Sequence, residues 1–96
     1  MKLIGKPFLY QATFPPALTG KTGDVYYTIY NANGSVYTAK TQAGVNELGA
    51  GSYGVVLTFN NAVTLSIYWE MEGTPYVASE TINIYDDAEV FEAIAL

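Results

Sequence analysis

Apart from its tyrosines, the side chains in this 96-residue chain that could do acid–base or metal chemistry are nine carboxylates and four lysines; there is no histidine, cysteine or arginine. That removes Ser-His-Asp and Cys-His nucleophilic catalysis, the usual zinc donors and the commonest general base. It also removes the bidentate guanidinium clamp that grips anions. No glycine-rich phosphate loop precedes a helix; the glycines fall where hairpin turns are expected. Carboxylate pairs remain. Glu70 and Glu72 share one side of an extended chain, two residues apart. Glycoside hydrolysis needs two carboxyls facing each other across a cleft, and a domain of this size has little room for one. A solvated strand end is the better account of this pair. Asp86, Asp87 and Glu89 could offer oxygens to Ca²⁺, but capping a helix explains them better. The expectation is a protein that is not an enzyme, with no catalytic residues, cofactor or metal.

Binding chemistry is carried by tyrosine, present nine times. Tyrosine gives a large contact area for little entropy loss and is enriched at interfaces. Tyr26 and Tyr30 share one face of an extended segment, and Tyr37 and Tyr68 are candidates for outer faces too. Two readings stay open: an interface, or rings that cover strand surfaces and pair across a ladder. Aromatic rings on a β-face also stack on sugars, so a glycan is an alternative ligand.

Charge excludes some partners. The net charge is −5, and Lys2, Lys6, Lys21 and Lys40 are scattered. Nucleic acid calls for clustered cations, and so does an anionic membrane surface. No apolar stretch approaches the ~20 residues of a membrane helix. The start, Met1 to Pro7, is interrupted by Gly5, Lys6 and Pro7 before a signal-type apolar run develops. Without cysteine, stability must come from core packing or assembly.

The elements that must position these residues read as strands. Pro7–Thr13 is an extended run opened by proline, suited to a sheet edge. Phe14 to Gly20 breaks it with Pro15-Pro16. Asp24–Asn31 alternates Val25, Tyr27 and Ile29 against Tyr26, Thr28 and Tyr30. Asn33-Gly34 is a strong hairpin signal, so Ser35–Thr41 should pair antiparallel with it. Ala43–Leu48 is a short strand or bridge. Tyr53–Phe59 points Tyr53, Val55, Leu57 and Phe59 inward. Val63, Leu65, Ile67 and Trp69 alternate in the next strand, and Tyr76–Ile84 is the last. Strands every ten residues or so with turns between them signal an antiparallel sandwich or barrel. About seven strands make a complete immunoglobulin-like β-sandwich, so the fold class is all-β. Residues 1–85 form this domain.

Residues 86–96 change period and make an acidic amphipathic tail, helical or extended. Val90, Phe91 and Ile94 fall on one helical face, with Asp86 or Asp87 as N-cap. Eleven residues are marginal for an isolated helix, so these three are candidate docking residues, on the chain's own sandwich or on a neighbour.

The middle of the chain resembles a known group. The run Thr22 to Tyr37, then Ala39-Lys40-Thr41, then Ala43 to Gly54, is similar to small β-rich modules of tailed-bacteriophage virion proteins. Those modules join a strand, an Asn/Asp-Gly hairpin, an Ala-Arg/Lys-Thr step and a Gly-Ser/Val-Tyr turn. An Ile-Tyr/Val-Trp strand closes the set, and Ile67-Tyr68-Trp69 stands in that place. The likeness spans about Thr22 to Ala78, and its matching positions are mostly turn glycines and core residues. Lys40 stands where the pattern often has arginine. No functional residue carries over. The resemblance implies a structural component of a phage particle: a head, neck or tail accessory, connector or decoration module. Its partners would be capsid, neck or tail subunits or further copies of itself. It would be made in the host cytoplasm and located in the virion, with Met1 to Pro7 and the tail as attachment arms. A glycan-binding adhesion module of a tail or fibre is the alternative.

Overall fold

A computed structural model describes residues 2–15 and 18–86. Among these residues there are eight strands and two sheets. The strands are β1 (Lys2–Leu3), β2 (Phe8–Thr13), β3 (Val25–Asn31), β4 (Val36–Thr41), β5 (Asn46–Gly49), β6 (Ser52–Leu57), β7 (Val63–Met71) and β8 (Val77–Tyr85). The larger sheet runs β1-β8-β7-β3-β4 and the smaller β2-β6-β5. The chain is all-β, and its sheet arrangement is consistent with a β-sandwich.

Period-two alternation builds the core. Tyr27, Ile29, Ile67, Trp69 and Ile82 face inward from the larger sheet, and Tyr10, Tyr53 and Val55 face them from the smaller. Burying each large side chain contributes roughly 1.5–3 kcal/mol, several times the worth of an exposed ion pair. Rings meet edge-on or tilted, with centroids 5.5 Å apart for Tyr27–Trp69 and 6.1 Å for Tyr10–Phe59. The hydroxyls of two buried tyrosines tie down loops. Tyr27 donates to the Ala43 carbonyl at 2.9 Å; Tyr53 donates to Leu18 and accepts from the Lys21 N–H.

The structure departs from the expected pattern in two places. About seven antiparallel strands were expected, but the opening residues supply an eighth: Lys2 and Leu3 pair in parallel with Ile84 and Tyr85. Lys2–Leu3 is therefore not a free arm, because it takes up backbone groups that β8 would otherwise leave open. The hairpin expected at Asn33-Gly34 forms, with β4 antiparallel to β3. Only Gly34 uses the left-handed region, at φ 88°. Asn31 N–H donates to the Ser35 carbonyl at 2.7 Å, so the loop holds three residues. Asn33 acts through its side chain, whose Oδ1 accepts from the Ser35 N–H and hydroxyl. A three-residue hairpin with glycine in αL is the next most favoured solution after the two-residue one.

The second departure concerns Tyr37. The pairing of β3 with β4 shifts register twice, between Tyr27 and Ile29 and between Ile29 and Tyr30. Such irregularities re-aim side chains. Tyr37, expected on an outer face, has its ring 5.9 Å from that of the core residue Phe59. It seals the rim of the core while remaining partly exposed.

Of the 86–96 tail only Asp86 is among the described residues; Val90, Phe91 and Ile94 lie outside them.

Candidate functional site

Two outward surfaces are candidates, one on each sheet. On the larger sheet Tyr26, Thr28 and Tyr30 stand opposite Glu70, Tyr68 and Ser66. Three of the expected interface residues, Tyr26, Tyr30 and Tyr68, are thus brought to one face. All three are half-buried rather than projecting, and Thr28 between them is 6% exposed. A threonine on an outward face is buried only when larger neighbours stand around it, and tyrosines flank it on its own strand and across the ladder.

The charges on this face satisfy one another. Lys40 Nζ lies 4.7 Å from the centroid of the Tyr26 ring and 3.6 Å from Glu70 Oε1. The charge of Glu72 raises the Tyr26 phenol above its ordinary pKa, and a hydrogen bond between the two side chains adds to this. Glu70 and Glu72 are therefore spent on a lysine and a phenol, not aimed at each other across a cleft. Exposed pairs of this kind are worth ~0–1 kcal/mol. Among the described residues, no group of three or more Asp or Glu side chains is placed to hold a metal ion.

The smaller sheet differs. Leu9 of β2 and Val56 of β6 are direct cross-strand partners on its outward face. Leu48 of β5 joins them across Gly54. A methyl group on Gly54 would stand 2.9 Å from Leu9 Cδ1 and 3.0 Å from Leu48 Cδ1, so the two leucines close over the glycine. Even so, Leu9 is 50% exposed, Leu48 47% and Val56 61%. Single exposed aliphatics are ordinary; these three are contiguous, which makes them a candidate contact surface.

Sequence reasoning missed this patch, although the signal was present. If Tyr10 and Ala12 point inward, Leu9 must point outward. In Gly54-Val55-Val56-Leu57 every residue is apolar or glycine, so whichever face is outward is apolar.

Comparisons of the chain with protein-family models, with curated proteins and with solved structures return no match. Geometry and the resemblance described above therefore carry the functional reading. No helix of the described residues is long and apolar enough to cross a membrane.

Proposed function

We propose that the protein is a non-catalytic structural module of a tailed-bacteriophage particle, an immunoglobulin-like domain that works by docking on other virion proteins. The strand order supports the fold part of this reading. Taken along the chain, β2, β5 and β6 occupy the places of strands B, D and E, while β3, β7 and β8 occupy those of C, F and G. β4 lies beside β3, where variable-type domains add a strand.

One observation carries the docking part: the exposed Leu9–Leu48–Val56 group on the outward face of the smaller sheet. Removing such a group from water against a partner is favourable at roughly 25 cal/mol per Å². In a symmetric particle, many weak contacts of this size sum to stable attachment. The acid–base groups of the opposite face are engaged with one another, which supports a role without catalysis. The glycan alternative draws less from the geometry, because Lys40 already lies over Tyr26, a ring a sugar would need.

The resemblance over Thr22 to Ala78 supplies the phage context. Mass spectrometry and electron microscopy of purified particles test it. The protein should be present in multiple copies, and Leu9→Lys with Val56→Lys should leave a folded chain that no longer incorporates. Particles that never contain the protein would end this reading.

A further inference from the structure

The free edge of β8 is a second binding feature, of another kind. Backbone directions on β8 are fixed at both ends. The Tyr76 carbonyl just before it accepts from the Met71 N–H, and the Tyr85 carbonyl accepts from Ile4 N–H at 3.1 Å. By alternation, even-numbered residues bond to β7 and odd-numbered residues turn their N–H and C=O away from it. β1 reaches only Ile84 and Tyr85. Among the described residues, the outward backbone groups of Val77, Ser79 and Thr81 therefore have no ladder partner. This edge carries neither proline nor lysine, and its pairing with β7 is unbroken from Val63↔Ile84 to Glu70↔Val77. An open row of this sort is a template for an added strand.

Glu80 says what kind of strand. Glu80 shares the inward row with Ile82 and Ile84, yet it is exposed; from Val77 to Thr81 nothing on β8 is buried. Near it lies Tyr10, 1% exposed, whose hydroxyl is buried without a hydrogen-bond partner. Glu80 is close enough for its charge to act on that phenol, adding to the effect of burial in raising its pKa. A buried hydroxyl left unpaired is costly, and the Tyr10 phenol, held protonated by burial and by Glu80, does not balance that charge. Lys2, in the row that such a segment would extend, already places Nζ 4.6 Å from the Tyr10 ring centroid.

We propose that the Val77–Thr81 edge of β8 binds an extended segment of a partner protein, carrying a basic side chain opposite Glu80. A second copy is the poorer occupant, since an inward charge on an edge strand opposes self-pairing and each copy carries −5. Residues 87–96 are also poorly suited, because they contain three carboxylates and no lysine or arginine. This inference stands apart from the phage reading and uses a different surface from the aliphatic patch.

The test uses the full chain and two capped seven-residue peptides that alternate valine and threonine, one with a central lysine and one with a central glutamate. Residue-resolved amide exchange is the readout. The lysine peptide should slow exchange at Val77, Ser79 and Thr81 by about ten-fold, while Ala78 and Glu80, already bonded to β7, change little. It should bind about three- to ten-fold more tightly than the glutamate peptide, as expected for opposite against like charges across a ladder. Glu80→Gln should erase that preference. Thr81→Pro removes a donor on the open side and should abolish binding with the β7–β8 amides still protected. Protection of the three amides in the free protein, independent of concentration, would mean that the chain covers its own edge and would overturn the proposal. Protection that grows with protein concentration, with a doubled mass, would replace the partner by a second copy. A lack of response to either peptide, or equal binding of both, would also overturn it.

Discussion

The outward faces of the two sheets solve the same problem differently. Each must present a β-surface to water. The larger sheet does so with tyrosines that lie over Thr28 and with charges that pair locally: Lys40 with Glu70 and the Tyr26 ring, Glu72 with the Tyr26 hydroxyl. The smaller sheet leaves Leu9, Leu48 and Val56 half in water with only one another for company. A tyrosine carries its own polar tip and can finish a surface by itself; an aliphatic side chain cannot. An abundance of aromatic residues is thus a weaker sign of an interface than three ordinary aliphatics in the wrong place. On the proposed reading, the tyrosine face is finished by its own side chains and the aliphatic face is the one that docks.

The hairpins behind the two faces sharpen the contrast most. Gly51 has φ 85°, and a methyl group there would stand 2.6 Å from the Phe14 carbonyl oxygen. Phe14 N–H also donates to the Gly51 carbonyl at 2.9 Å, tying β2 to the start of β6. Gly51→Ala should therefore cost about 3 kcal/mol or more, through backbone strain and backbone overlap together. Gly34, at φ 88° in the β3–β4 hairpin, has open space around it. Gly34→Ala should cost only about 1 kcal/mol. Urea denaturation of both variants measures the gap, and equal losses would show that the Phe14–Gly51 junction is not what holds the smaller sheet.

The faces themselves should then separate stability from association. Tyr68→Ala uncovers Thr28 and should lower stability by about 1–2 kcal/mol with no change in self-association or partner binding. Val56→Ser, at a side chain 61% exposed, should change stability by less than about 0.5 kcal/mol but weaken any association. Thermal unfolding and analytical ultracentrifugation read the two effects. A Tyr68→Ala variant that loses association while keeping its stability would reverse the assignment of the two faces.

The strands were legible in the sequence because alternation is local. Val25-Tyr26-Tyr27-Thr28-Ile29-Tyr30 assigns its faces without reference to the rest of the chain. Lys2–Leu3 was not legible, since two residues have no periodicity, and their place depends on β8, some eighty residues later in the chain. Tyr37 is exposed, but its ring contact with Phe59 was not legible, because a register shift is a property of the pair β3–β4, not of β4 alone. The tyrosine cluster was legible as a face, but its half-burial was not, because that depends on Lys40, Glu70 and Glu72 arriving from two other strand ends. The outward aim of Leu9 was legible from alternation, but its contiguity with Val56 needed the pairing Leu9↔Val56, which joins residues far apart in the chain.

The smallest effect concerns the charge on the tyrosine face. The Tyr26 phenol is raised above its ordinary pKa of 10.0, first by the charge of Glu72 and then by their hydrogen bond. A raised folded-state pKa means that the neutral phenol is favoured in the native protein. The associated stability is fully present below the unfolded-state pKa and is lost as pH rises through the folded one. At neutral pH, Glu72→Gln should therefore change stability little, and its effect should appear in an alkaline titration instead. Removing the carboxylate lowers the Tyr26 pKa towards its ordinary value, while Tyr10 and Tyr27, raised chiefly by burial, should not move. Resolved tyrosine resonances followed through the alkaline range separate the three phenols. If Tyr26 titrated unchanged in Glu72→Gln, the local pairing of charges on the larger sheet would not be what closes that face, and the distinction between the two sheets would rest on burial alone.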